Sequence, residues 1–171
     1  MLRSIFLSVA LIAAPLTAQS TEPIAHTAAD LQQREAKLIE TAKASPTGLA
    51  IGRLENYGND YTLLVVRTHT GDAERHQFWA DQIYVNRGDL ILVYGGTMLQ
   101  ERPNSGPAVS GETLGSGIEG GKEIPLHTGD IIHIPAGIPH WVKVAPGTTT
   151  TYLVFKEKDK GQDKKDKGQD K

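Results

Sequence analysis

From Leu49 onward the chain is a series of short β-rich runs divided by Gly and Pro, which constrains the fold more than any other feature. Residues 61–67 read YTLLVVR, residues 82–86 QIYVN and Leu90–Tyr94 LILVY. Ile131–Ile134 reads IIHI, and residues 140–144 and 149–155 complete the series. Arg87-Gly88-Asp89 and Gly95-Gly96 supply turns between them. With 18 Gly and 9 Pro in 171 residues, the chain is richer in turns than a helix bundle tolerates. Many short strands with such punctuation predict an all-β sandwich or small antiparallel β-barrel. No alternation of strands with helical segments appears, which argues against a parallel doubly wound sheet.

Ahead of this series the texture is different. Arg3 is followed by an apolar run over 4–14 and then by Leu16-Thr17-Ala18, so residues 1–18 read as a secretory signal peptide. The run is too short to span a membrane, and no stable membrane anchor is expected. The mature chain is therefore expected to be exported, periplasmic or secreted. Ala28, Leu31, Leu38, Ile39 and Ala42 then recur at helical spacing behind a capping Thr27, and Ser45-Pro46 ends the pattern. A short N-terminal helix over 27–45 is expected to pack outside the main domain, which runs over 49–156. Residues 157–171 repeat a charged motif with hardly an apolar residue, as expected of a disordered charged tail. Residues 106–121 carry six glycines and are expected to form a mobile hairpin or rim loop; the strand-then-helix context of a phosphate cradle is missing.

Charge and composition exclude several classes of function. Formal net charge is −2, with no basic stripe interleaved with aromatics, so nucleic acid is not an expected partner. There is no Cys, which removes disulfides, thiolate ligands and a Cys nucleophile. Any metal site must use His, carboxylate, amide or water. Ser110 and Ser116 lack a nucleophile elbow, so a serine hydrolase is not expected.

Two stretches carry the chemistry. In GDIIHIPAGIPHWVKV, residues 129–144, Gly129 is followed after five residues by Pro135, then Gly137, then His140. This spacing on a strand, turn and strand resembles the second motif of the cupin family. The family's first motif has His-x-His, three or four residues, a Glu, six residues and a Gly. The stretch Glu74-Arg75-His76 through Asp81-Gln82-Ile83-Tyr84 to Arg87-Gly88-Asp89 resembles it in part. If His76 stands for the first His, Phe78 replaces the second. If His76 stands for the second, Glu74 replaces the first. In both registers Gln82 is taken for the Glu.

Residues two apart on a strand share a face, so the second register lets Glu74 and His76 point the same way, with His140 arriving from a neighbouring strand. Two His and one carboxylate with open positions suit Fe, and also Mn, Ni or Zn. Gln82 is a candidate fourth metal ligand or a hydrogen-bond donor to substrate, and losing a carboxylate there weakens the hold on a hard dication. His133, Trp79, Tyr84 and Trp141 are candidates for contacting substrate. The resemblance implies a cupin (jelly-roll) barrel around a pocket for a small-molecule ligand, and a homodimer. It leaves two functions open. One is a metal-dependent enzyme, oxygenase- or isomerase-like. The other is a non-catalytic binding protein without metal.

Overall fold

The computed structural model describes residues 21–104 and 111–159. The signal-peptide expectation for 1–18, residues 160–171 of the charged tail and residues 105–110 of the glycine-rich stretch lie outside them. Helix α1 (Ala28–Ala44) precedes β1 (Leu49–Asn56), β2 (Asp60–Arg67), β3 (Ala73–His76), β4 (Trp79–Arg87), β5 (Leu90–Tyr94), β6 (Thr97–Leu99) and β7 (Arg102–Pro103). There follow β8 (Glu112–Gly115), β9 (Gly117–Glu119), β10 (Lys122–Leu126), β11 (Ile131–Ile134), β12 (His140–Lys143) and β13 (Thr150–Lys158).

All recorded strand pairs are antiparallel. Five strands form one sheet in the order β1-β2-β13-β4-β11, and six form another in the order β10-β5-β12-β3-β8-β7. A small β6-β9 ribbon completes the set. Alternation along each strand decides what lies inside. On β4, Asp81, Ile83 and Val85 are buried, whereas Gln82, Tyr84 and Asn86 are exposed. Val65, Ile83, Val154, Leu92 and Val142 belong to one core drawn from both sheets. Leu92 is fully buried there, and Leu92→Ala would cost about 2–5 kcal/mol.

Helix α1 starts where Thr27 Oγ1 accepts the Asp30 N–H at 3.2 Å. Asp30 in its first turn and Lys43 in its last complement the helix dipole. Leu38, Ile39 and Ala42 pack on Ala50 and Val66 of β1 and β2. Glu35, buried on the same helix, reaches the sheet through Arg87 Nε at 2.9 Å, Thr151 Oγ1 at 3.0 Å and Asn86 Nδ2 at 3.1 Å. Among the described residues, no helix is long and apolar enough to cross a membrane.

Two boundaries differ from the sequence reading. Glu157 and Lys158, expected in the tail, instead pair with Ala80 and Trp79 and extend β13. The Lys158 N–H also donates to the Asn59 carbonyl at 2.8 Å. The described part of the glycine-rich stretch, expected as a hairpin or rim loop, forms β8 and β9, which pair with other strands rather than with each other. Their backbones find partners in β3, β7 and β6, and pairing outweighs the low strand propensity of Gly.

Candidate metal centre

The centre is assembled where β3, β4 and β12 meet. Glu74 lies directly opposite His140 across the β3–β12 pair, a position that brings side chains together. His76, two residues on, shares Glu74's face, and Asp81 enters from β4 in the other sheet. His140 opens β12 just after the Pro135-Ala136-Gly137 turn. Gly137 has φ +82°, a conformation that glycine adopts without strain, and its N–H donates to the His76 carbonyl at 2.8 Å. The Gly95 N–H donates to the Pro139 carbonyl at 2.9 Å on the far side. The corner is thus tied to β3 on one side and to the end of β5 on the other.

His140 Nε2 lies 3.6 Å from Glu74 Oε1 and 3.6 Å from Asp81 Oδ2. His76 Nε2 lies 3.5 Å from Asp81 Oδ2 and 3.8 Å from Glu74 Oε2. Ligand atoms around an ion bound at about 2.1 Å lie about 3 to 3.5 Å from one another, so the cluster is slightly wider than a filled coordination sphere. Glu74, His76 and His140 offer donor atoms all within 4.8 Å of one another. Both nitrogens of His76 and Nε2 of His140 are buried without a hydrogen-bond partner among the described residues. Buried polar atoms are rarely left unpaired, and the Nε2 atoms of His76 and His140, both turned to Asp81 and Glu74, fit a cation held between them. His140 Nδ1 faces the Ile138 carbonyl at 3.0 Å. With Nδ1–H donating there, Nε2 is turned to the cluster and offers its lone pair once the ring's second proton leaves.

The surrounding charges set the electrostatics. Burial alone would lower His140, but the carboxylates of Asp81 and Glu74, each 3.6 Å from Nε2, raise it to about 10. Burial alone would raise Glu74, but His140, His76 and Lys156 hold its carboxyl well below the usual range. Asp81 is treated the same way by His140, His76 and Lys156. Lys156 Nζ stands 2.6 Å from Asp81 Oδ1 and 2.8 Å from Oδ2, with hydrogen-bond geometry only toward Oδ2. Glu112, opposite His76 on β8, places Oε1 3.9 Å from Nδ1. Glu74, Asp81 and Glu112 bring three carboxylates to the cluster against Lys156 and the proton on His140; an ion that displaces that proton meets an excess of two negative charges, which one divalent cation would balance.

Glu74, His76 and Asp81 line a cavity of about 1170 Å³ between the sheets, with Trp79, Leu63, Val65, Ile83 and Val154 among its walls. Glu74, His76 and Asp81 therefore reach one pocket between two antiparallel sheets, with His140 beside them. This is a cupin fold. The first cupin motif now reads without a gap as Glu74-x-His76, four residues, Asp81, six residues and Gly88. Asp81, passed over in favour of its neighbour, faces the cluster. Gln82 is exposed on the opposite face of β4, so it is not positioned as a ligand of this centre. His133 pairs with Gln82 and is exposed on that same outer face, and Tyr84 joins them there. Trp141 Nε1 donates to the Gly71 carbonyl at 2.7 Å, while its neighbour Val142 lines the cupin pocket instead. Of the aromatic candidates, Trp79 is the one that lines the cavity, with its ring centroid 5.0 Å from that of Tyr61.

No family model and no curated protein matches the sequence. Similar solved structures include the cupin domain of Cnp3 from Schizosaccharomyces pombe, at 8% identity and TM-score 0.48, covering 68% of this chain and 66% of that one. A recombinant oxalate oxidase in complex with glycolate is 15% identical at TM-score 0.47, covering 67% of this chain and 53% of that one. A structure of FeII HppE in complex with substrate is 16% identical at TM-score 0.46, covering 64% of this chain and 49% of that one. The chain thus spans about half to two thirds of these relatives. At such identities and scores the likeness says nothing of activity.

Proposed function

We propose that this protein is a metal-dependent enzyme of the oxygenase or isomerase type, acting on a small organic substrate in the cupin pocket. The observation that carries the reading is the pair of buried imidazole nitrogens, Nε2 of His76 and Nε2 of His140, unpaired among the described residues and turned toward Glu74 and Asp81. Glu74, His76 and His140 would hold the ion, with Asp81 beside them. A bound Fe, Mn, Ni or Zn ion would supply Lewis-acid polarisation or, for a redox-active metal, electron transfer. Lys156 holds Asp81 in place, and Glu112 stands ready to accept from His76 Nδ1–H. The apolar wall of Leu63, Val65, Ile83 and Val154 keeps water away from the inner side of the site.

One observation favours a second reading, a binding protein without metal. Lys156 and a protonated His140 already neutralise part of the acidic cluster. Elemental analysis of the purified chain separates the two. The enzyme reading expects near-stoichiometric metal in the wild type and loss of it in Glu74→Ala and His140→Ala. A wild type that stays metal-free after exposure to Fe(II), Mn(II), Ni(II) and Zn(II) overturns it.

A further inference from the structure

Among the described residues, the same cavity contains a cation with no anion in contact. Arg67 closes β2, at the end of the strand away from Tyr61; the Tyr61 row of the sheet carries Lys156 and Asp81. It is only 6% exposed, yet it lines the cavity. Its Nε donates to the Tyr152 hydroxyl at 2.8 Å. Among the described residues that is the one hydrogen bond of its side chain, and no carboxylate comes within ion-pair distance. Of the two acids whose charge acts on it, Asp72 is paired with Arg102 at 2.6 Å and Glu74 faces the two histidines. A buried guanidinium ordinarily has a paired anion, because desolvating its charge is otherwise too costly.

Two further features mark a built site. Any Cβ at Gly71 would collide with Arg67 Nη1, so the missing side chain is what leaves room for the guanidinium. The Gly71 carbonyl is itself held by Trp141 Nε1. Tyr152, also lining the cavity, is raised by burial above the ordinary phenol range and stays protonated. Its oxygen accepts from Arg67, and among the described residues its hydrogen has no acceptor. The Nη edge of Arg67 and the Tyr152 O–H are therefore donors still unspent, and both belong to the cavity wall.

We propose that Arg67 and Tyr152 form a carboxylate-anchoring subsite, so that the ligand of the pocket is a small organic acid with an apolar body. This rests on the enzyme reading above, whose substrate class it names. The planar guanidinium fork matches a carboxylate in two parallel hydrogen bonds. The Tyr152 hydroxyl adds a third. Val65, Ile83 and Val154 then run along the wall from this end toward Lys156 and Asp81 and receive the apolar body. The opposite end of the acid reaches the metal-binding cluster. A doubly charged phosphate ester fits less well, because Glu74 and Asp72 act on the same region.

Calorimetric titration of the full chain, metal-free and zinc-reconstituted, with benzoate and hexanoate and with the amide of each tests this. The acids are expected to bind saturably and the amides about tenfold or more weakly, the loss of a charge-assisted pair. Arg67→Gln is expected to lose about tenfold or more toward the acids with little change toward the amides, and Tyr152→Phe a few-fold. Should Arg67→Gln fail to fold, Tyr152→Phe and the acid–amide comparison in the wild type decide. Equal binding of acid and amide, no binding of either acid, or a folded Arg67→Gln with wild-type affinity overturns the subsite. A wild type that holds metal without preferring acids removes the subsite and leaves the enzyme reading. One that prefers acids but holds no metal does the reverse.

Discussion

The Gly137 N–H donates to the His76 carbonyl at 2.8 Å, so the turn that aims His140 is fastened to the strand that carries His76. The two imidazoles, with centroids 5.2 Å apart, owe their spacing to this backbone bond as well as to side-chain packing. At φ +82° an alanine is strained, although open space surrounds the position. Gly137→Ala is therefore expected to lower stability by about 1–2 kcal/mol through backbone strain alone. It should also weaken metal binding as the His140 ring is displaced. Urea denaturation read beside zinc titration checks both.

The adjacent pair Asp81 and Gln82 gives a sharp contrast. Asp81→Asn is expected to weaken metal binding and to destabilise the metal-free chain, because buried Lys156 loses its charge partner. Gln82→Ala, on the exposed face, is expected to stay within about 0.5 kcal/mol of wild type and to leave metal content unchanged. Thermal unfolding with elemental analysis of both variants decides; metal loss in Gln82→Ala would mean that the side chain turns inward.

Lys156 competes with any cation for Asp81. Lys156→Met is expected to cost the metal-free protein about 3 kcal/mol, since one partner of a buried pair is removed. The same change frees Asp81 Oδ2, so metal affinity should rise. Unfolding midpoints with and without zinc should therefore lie further apart in the variant than in the wild type.

Metal uptake should depend on pH with a definite sign. His140 is raised to about 10, so at neutral pH it carries a proton that an ion must displace. Glu74 and Asp81 are held below the usual carboxylate range and release none there. One proton leaves per ion bound, and affinity is expected to climb about tenfold per pH unit between roughly pH 6.5 and 8.5. Calorimetry in buffers of different ionisation enthalpy counts that proton directly; a pH-independent affinity would show His140 to be neutral.

The strands bounded by Gly or Pro were the most legible in the sequence. Leu90–Tyr94 and Ile131–Ile134 lie where their flanking turns put them, because turn chemistry is local. The corner before His140 was legible for the same reason. Parity was harder: Asp81 and Gln82 are both polar, and only pairing with β13 and β11 fixes which one faces inward. His133 was misjudged by the same slip of one residue. Lys156, Glu112 and Arg67 gave no local signal at all. Each reaches the pocket from a strand distant in sequence, through a register that only the assembled sheets define.

Glu35 has one further consequence. Its three sheet partners, Arg87, Asn86 and Thr151, sit on β4 and on β13, beyond the strands that the apolar face of α1 covers. Apolar contact alone would let a helix slide by a turn at little cost. A slip here would strand a buried carboxylate, so the helix is keyed to one register, and β13, whose far end carries Lys156, is keyed with it.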